Sequence, residues 1–190
     1  DKVRAATYFK NEASVNLLTK KVGFEIPYKY LVGWKKPEVL THKKIDKEVI
    51  PLNEKDLDKV IKFLNKSNRY DEYNRLIGNG WYFEEHTDEE WLKMLKSDEV
   101  YTVKSDELTS LITIREEHTR PRYCIGFIDG NTEDINTLID YAGNKAKNEE
   151  KRLLFEVPQN SKLVDVHRNK KFEIPEPTDA NMYIFEMKLK

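Results

Sequence analysis

Apolar positions along the chain fall into two periods. Short apolar or alternating runs predict strands at residues 3–9, 24–26, 28–34, 48–52, 100–104, 111–115, 123–128, 153–157, 172–174 and 182–189. Helical spacing takes over between them, at residues 12–21, 133–147 and 161–169. Asn53 stands as an N-cap with Asp56 in the first turn. Leu57, Val60, Ile61 and Leu64 follow at i, i+3, i+4 and i+7, an amphipathic helix. Thr87 and Glu90 form a capping-box pattern ahead of Trp91, Leu92 and Leu95. Polar turns between the strands at 100–104, 111–115 and 123–128 predict an antiparallel meander. The strand–helix–strand run through residues 133–147 predicts a parallel pair joined by a right-handed crossover. Residues 70–86 show no period, are rich in aromatics, and contain Gly78 and Gly80.

The order repeats. Residues 1–27 lie without a gap over residues 149–175, an offset of 148 (149 minus 1). Arg4 falls on Arg152, and the run Phe24-Glu25-Ile26-Pro27 falls on Phe172-Glu173-Ile174-Pro175. An apolar strand follows each run. A unit of this length is an ordinary domain size. The expected division is residues 1–36 as the tail of a first unit, 37–47 as a solvated linker and 48–190 as a complete second unit. The linker carries Lys35 and Lys36 at its entry, then Pro37, His42 and three more Lys. The chain opens at Asp1 directly on a strand pattern, as a piece of something longer would.

Charge and cysteine content narrow the classes. Thirty-three Lys and Arg nearly cancel 34 Asp and Glu, for a formal net charge of -1. This argues against nucleic acid and anionic membrane as partners, since both need a basic excess. Cys124 is the one cysteine, so there is neither an intrachain disulfide nor a cysteine zinc site. No apolar run reaches the length of a membrane span. The expected class is a soluble, cytoplasmic globular protein. His42, His118 and His167 share no metal-ligand spacing, and no metal is expected.

The second unit reads β-α-α-β-β-β-α-β-α-β-β, which resembles the GNAT superfamily of N-acetyltransferases. In the first unit Asn11, Ser14, Leu17 and then Val22-Gly23-Phe24 are similar to that family's Asn-x-x-(Ala/Ser)-x-x-Leu … Gly-Phe signature. One extra residue stands between Leu17 and Gly23. The resemblance implies an α/β (α+β) fold of acyl-CoA N-acyltransferase type: a mixed, mostly antiparallel sheet with a central parallel strand pair, flanked by helices. It implies acetyl-CoA as cosubstrate and an amine of unspecified kind as acceptor. It places Asn11 and Ser14 on the cofactor side. The family's pyrophosphate sits on the N-terminus of the helix after the fourth strand, where free N–H groups favour an anion. Here that loop reads Ile128-Asp129-Gly130-Asn131-Thr132-Glu133, without Arg or Gln and with Asp134 next. The second unit is therefore expected not to hold the cofactor in the family manner, and this chain alone not to transfer acetyl groups.

The remaining chemistry is dispersed. The family's proton-donor position falls at Leu18 or Thr19, which leaves Tyr8, in a strand, as the nearby phenol. Glu156 stands inside an apolar strand, where a carboxylate can serve as a base. Tyr8 and Glu156 are the candidate catalytic residues. Trp81, Tyr82, Glu84, Glu85 and His86 form a candidate acceptor pocket, acidic with aromatic walls and suited to a cation. Two functions follow: a parent acetyltransferase whose active site lies in the first unit, or a non-catalytic acyltransferase-like domain used for dimerisation, for covering the acceptor pocket or for partner binding. A second copy of the chain is one candidate partner.

Overall fold

A computed structural model describes residues 2–79, 83–117, 120–174 and 181–188. Strand β1 is Lys2–Tyr8, helix α1 Glu12–Asn16 and β2 Glu25–Lys35. Then follow β3 (Val49–Pro51), α2 (Leu57–Leu64), α3 (Asn68–Glu72), β4 (Leu76–Gly78), β5 (Phe83–Glu85), α4 (Asp88–Lys96) and β6 (Val100–Val103). The chain continues through β7 (Leu111–Glu117), β8 (Arg122–Asp129), α5 (Thr132–Asn148), β9 (Arg152–Pro158), α6 (Leu163–Asn169) and β10 (Asn181–Lys188). Eight strands form one sheet in the order β1-β10-β2-β9-β8-β7-β6-β3, and β4 and β5 form a separate hairpin. All neighbours in the large sheet are antiparallel except β8 and β9. Those two run parallel from Arg122↔Arg152 to Ile125↔Phe155, with α5 as their crossover. The mixed sheet with a parallel pair thus stands as the apolar periods predict.

Successive residues of a strand face opposite sides of a sheet, and β9 shows what covers each side. Phe155 stacks on His167 of α6, with ring centres 3.8 Å apart. α5 buries Ile135, Leu138, Ile139, Ala142 and Ala146. Tyr70 and Tyr73, at α3, meet Phe127 of β8 edge-on at 5.5 and 5.2 Å. Both predicted N-caps form complete capping boxes, Asn53 with Asp56 and Thr87 with Glu90. Among the described residues no helix is long and apolar enough to cross a membrane.

Four local features depart from the sequence pattern. Residues 24–26 and 28–34 are not two strands: β2 runs unbroken through Pro27. A register shift between Ile184 and Glu186 of β10 lies opposite this point, and an irregular ladder tolerates a residue without an N–H. The extra residue after Leu17 is absorbed as a π-helix, Leu17–Val22, closed by Gly23 in the left-handed conformation (φ 87°). The aperiodic stretch contains α3, β4 and β5. Residues 172–174 make a single bridge, in which Glu173 exchanges backbone hydrogen bonds with Trp34 and accepts from its indole N–H at 2.9 Å.

The basic segment 37–47 is not solvated throughout. It carries a 3-10 turn, Pro37–Val39, and buries Leu40. Asn144 of α5 bonds the Lys43 backbone at both its N–H and its carbonyl, each at 2.8 Å. Lys47 pairs with Asp134 at 2.8 Å and Glu133 at 3.1 Å. The segment is a strap along α5.

Candidate functional site

A cleft in a mixed sheet of this kind belongs where its parallel strands part. β8 and β9 pair only as far as Ile125 and Phe155, and β8 continues to Asp129. The β7–β8 register shifts between Thr113 and Ile114, opposite Phe127 and Ile125, so Gly126 is the bulged residue. Beyond that point β8 turns away from β9.

The fork is filled from within. A Cβ on Gly126 would overlap the backbone carbonyl of Gly78, and a Cβ on Gly78 would overlap the Glu156 carboxylate. The β4 backbone is therefore wedged between the diverging strands, and only two glycines let it come so close. Glu156 is fully buried behind it, and the Cys124 thiol donates to it at 3.4 Å. Tyr73, Tyr30 and Phe83 complete the plug. The Tyr30 hydroxyl donates to the Tyr73 carbonyl at 2.5 Å, and burial pushes both phenols up. Glu156 thus sits at the fork, as a base of the second unit would, but faces Gly78 and a thiol instead of a cleft.

The loop at the fork's end is also occupied. Asn131 caps α5, its side-chain oxygen accepting from the Asp134 N–H at 2.9 Å, while its amide donates to the Asp134 carboxylate at 2.7 Å. Asp134 is buried and paired with Lys47. Asp129 accepts from the Ser67 hydroxyl at 2.5 Å and the Gly130 N–H at 2.7 Å, and faces Arg69 at 3.4 Å. The three carboxylates at the helix N-terminus are not bare. Each carboxylate has a cation, Lys47 or Arg69, and the capping N–H that an anion would use is already taken.

The first-unit residues lie on β1 and α1, with Tyr8 still within electrostatic reach of Arg122 and Glu156. Tyr8 ends β1 opposite Met182 and is half-buried, which pushes its phenol up. Asn11 caps α1, accepting from the Ser14 N–H at 3.2 Å and donating to Thr7 at 3.3 Å. Asn11 and Ser14 therefore already serve one another.

Glu84 and Glu85 line a cleft of about 340 Å³ between the β4–β5 hairpin and the edge of the sheet, with Arg4, Ala6, Phe83 and Ile184. Arg4 bridges Glu85 at 2.5 Å and Glu186 at 3.1 Å. His86 turns from this cleft toward Trp91, at 5.7 Å, and burial lowers its pKa. His86 thus lies in a second hollow, and Glu85 lines both, standing between the cleft and the histidine. Trp81 and Tyr82 lie outside the described residues.

No protein-family model matches the sequence, and no curated protein does. Solved structures do match. The class they define is the acyl-CoA N-acyltransferase fold. A GNAT-family protein of Novosphingobium aromaticivorans aligns with 88% of this chain and 69% of its own at a TM-score of 0.61 and 11% identity. A GCN5-related N-acetyltransferase of Sphaerobacter thermophilus aligns with 98% of this chain and 60% of its own (TM-score 0.60, 12% identity). The N-myristoyltransferase of Saccharomyces cerevisiae, solved with myristoyl-CoA bound, aligns with 84% of this chain, which spans 47% of it (TM-score 0.55, 10% identity). The chain has the GNAT N-acetyltransferase fold.

Proposed function

We propose that the chain belongs to a cytoplasmic, two-unit N-acetyltransferase that moves an acetyl group from acetyl-CoA to an amine. Residues 1–36 are the tail of the first unit, 37–47 the strap and 48–190 a second unit that does not itself transfer acetyl groups. The wedge of Gly78 between Gly126 and Glu156 carries this reading, because it fills the place where the parallel strands part. The capped, ion-paired start of α5 agrees with it. The repeat supports the division into units. Gly23 and Lys171, 148 residues apart, are both left-handed (φ 87° and 60°), and Phe24 and Phe172 after them are both buried.

Acetyl-CoA would supply the acyl group. In this chain Asn11 and Ser14 lie nearest to what would be its first-unit site, and Tyr8 is the group placed to move a proton. Glu84 and Glu85 overhang β1 and would face the acceptor. Calorimetry with acetyl-CoA at moderate salt tests the reading. The 190-residue chain is expected to show no binding tighter than about 10 µM, which would correspond to about 7 kcal/mol. Tighter binding would mean that the fork opens, and would make the second unit the catalytic one.

A further inference from the structure

Four lysines from three separate segments meet beside α5. Lys35 ends β2. Its ammonium stands 5.2 Å from the centre of the Phe172 ring, and Phe172 packs edge-on against Phe155 at 5.0 Å. Lys170 and Lys171 follow α6, and Lys43 belongs to the strap. Residues of α5 spaced one turn apart hold them in place. The Lys170 ammonium donates to the Asn136 carbonyl at 3.4 Å and to the Asp140 carboxylate at 2.6 Å. One turn further on, Asn144 grips the Lys43 backbone from both sides. Lys171 turns the chain in the left-handed conformation (φ 60°).

The charges in this group do not balance. Asp140 is already taken by Lys170. Glu173, close by on the chain, accepts from the Trp34 indole instead. Among the described residues no carboxylate pairs with Lys35, Lys43 or Lys171, whereas Lys47, Lys104 and Lys151 each have one. Lys35, Lys43, Lys170 and Lys171 with Asp140 sum to +3 (four minus one), in a chain of net charge -1. Lys35 is also half-buried. Burial and then the Lys43 ammonium lower its pKa, with Asp140 opposing. Like charges held together in this way weaken a fold, and a bound anion relieves them.

We propose that Lys35, Lys43, Lys170 and Lys171 form a binding site for a small soluble anion that carries two or three linked phosphoryl groups. The stripe from Asn136 to Asn144 covers about 12 Å of helix, at 1.5 Å per residue. Four ammonium groups over that length suit one short chain of phosphoryl groups and are too few for a nucleic-acid tract, which the acidic balance of the whole chain also disfavours. Lysines supply the point charges that phosphate takes. The site does not draw on the acetyl-transfer reading, and it involves neither the fork nor the Asn131 cap.

Titration of the 190-residue chain with inorganic tripolyphosphate at low salt, followed by amide chemical shifts and by calorimetry, tests it. Saturable binding is expected, with the shifts gathered at residues 34–36, 42–44 and 169–172. Lys35→Met should weaken binding at least tenfold. Without ligand it should melt higher than wild type, because it removes a repelled charge and keeps an apolar stem on Phe172. Lys62→Gln is the control. Lys62 is exposed on α2, in a hollow shared with Asp106, Glu107 and Asp129, and its loss should change the affinity less than twofold. Absence of saturable binding would overturn the proposal. So would equal weakening by the two variants, which marks nonspecific attraction, or a Lys35→Met protein that melts lower and binds as wild type does, which marks a structural lysine. Tighter binding of a single-stranded oligonucleotide of equal charge, or of anionic lipid vesicles, would overturn the assignment to a small soluble anion.

Discussion

Gly126→Ala is expected to destabilise the protein by about 3 kcal/mol, near the upper end of ordinary overpacking costs. The added methyl would overlap the Gly78 carbonyl and touch the Ile77 side chain. Neither can yield cheaply. The first is backbone, and Ile77 is 1% exposed. Gly126 does not adopt a left-handed φ, so the cost is steric and not conformational. Gly143→Ala provides the control. Gly143 lies in α5, where an added Cβ meets only Leu40, at 3.9 Å. There alanine should stabilise by up to about 1 kcal/mol through helix propensity. Urea unfolding of both variants at neutral pH measures the difference. A neutral Gly126→Ala would show that β4 leaves the fork in solution, and the second unit would then have a cleft after all. A variant that loses stability but gains acetyl-CoA binding would show the wedge to be a removable lid.

The parallel pair and its crossover helix were legible in the sequence because they rest on local pattern. Leu138, Ile139 and Ala142 repeat at helical spacing between two apolar runs, and a short crossover of this kind leaves one topology. The capping boxes were legible for the same reason. What escaped were choices made between distant segments. Nothing in the apolar run of β2 says that it will stand between β9 and β10 instead of beside β1. Gly126 inside an apolar strand was a visible sign of a bulge or a close approach, but its partner, Gly78, lay in a stretch without a period. The cations of the acidic loop were not legible because they come from far away: Lys47 and Arg69 precede Asp134 and Asp129 by 87 and 60 positions (134 minus 47; 129 minus 69). The surplus residue after Leu17 was legible as an irregularity, but not as a π-helix, since sequence spacing does not say which hydrogen bonds will lengthen.

Acidification should weaken the fold through His167, which the sequence offered only as one of several scattered histidines. The ring is fully buried between Phe155 and Phe172, at 3.8 and 5.2 Å. Its Nδ1 lies 2.7 Å from the Leu163 carbonyl. A carbonyl only accepts, so Nδ1 carries the proton, and Nε2 holds a buried lone pair with no hydrogen-bond partner among the described residues. A second proton would place a charge among aromatic rings with no counter-ion among the described residues. Burial accordingly lowers the pKa to about 4, against a small opposing effect of the Leu163 bond. The unfolded chain, at the ordinary value near 6.5, takes up its proton first as pH falls. His167 therefore costs no stability above about pH 6.5, and stability is lost as pH drops from there toward 4. Linkage puts the loss at about 2 kcal/mol by pH 5 and about 3 kcal/mol by pH 4. Glu149, held down at about 2 by Lys151 and Tyr123, loses its contribution only below the ordinary glutamate range. His86, whose pKa burial also lowers, contributes alike to wild type and to a His167 variant, so the difference between the two proteins from pH 7.5 to 5 isolates His167. Urea unfolding across that interval should show wild type losing about 2 kcal/mol more than His167→Leu, which keeps an apolar side chain on Phe155 and does not titrate. Parallel pH profiles for the two proteins would place His167 in contact with water, and would mean that α6 does not close over β9 as the stacking requires.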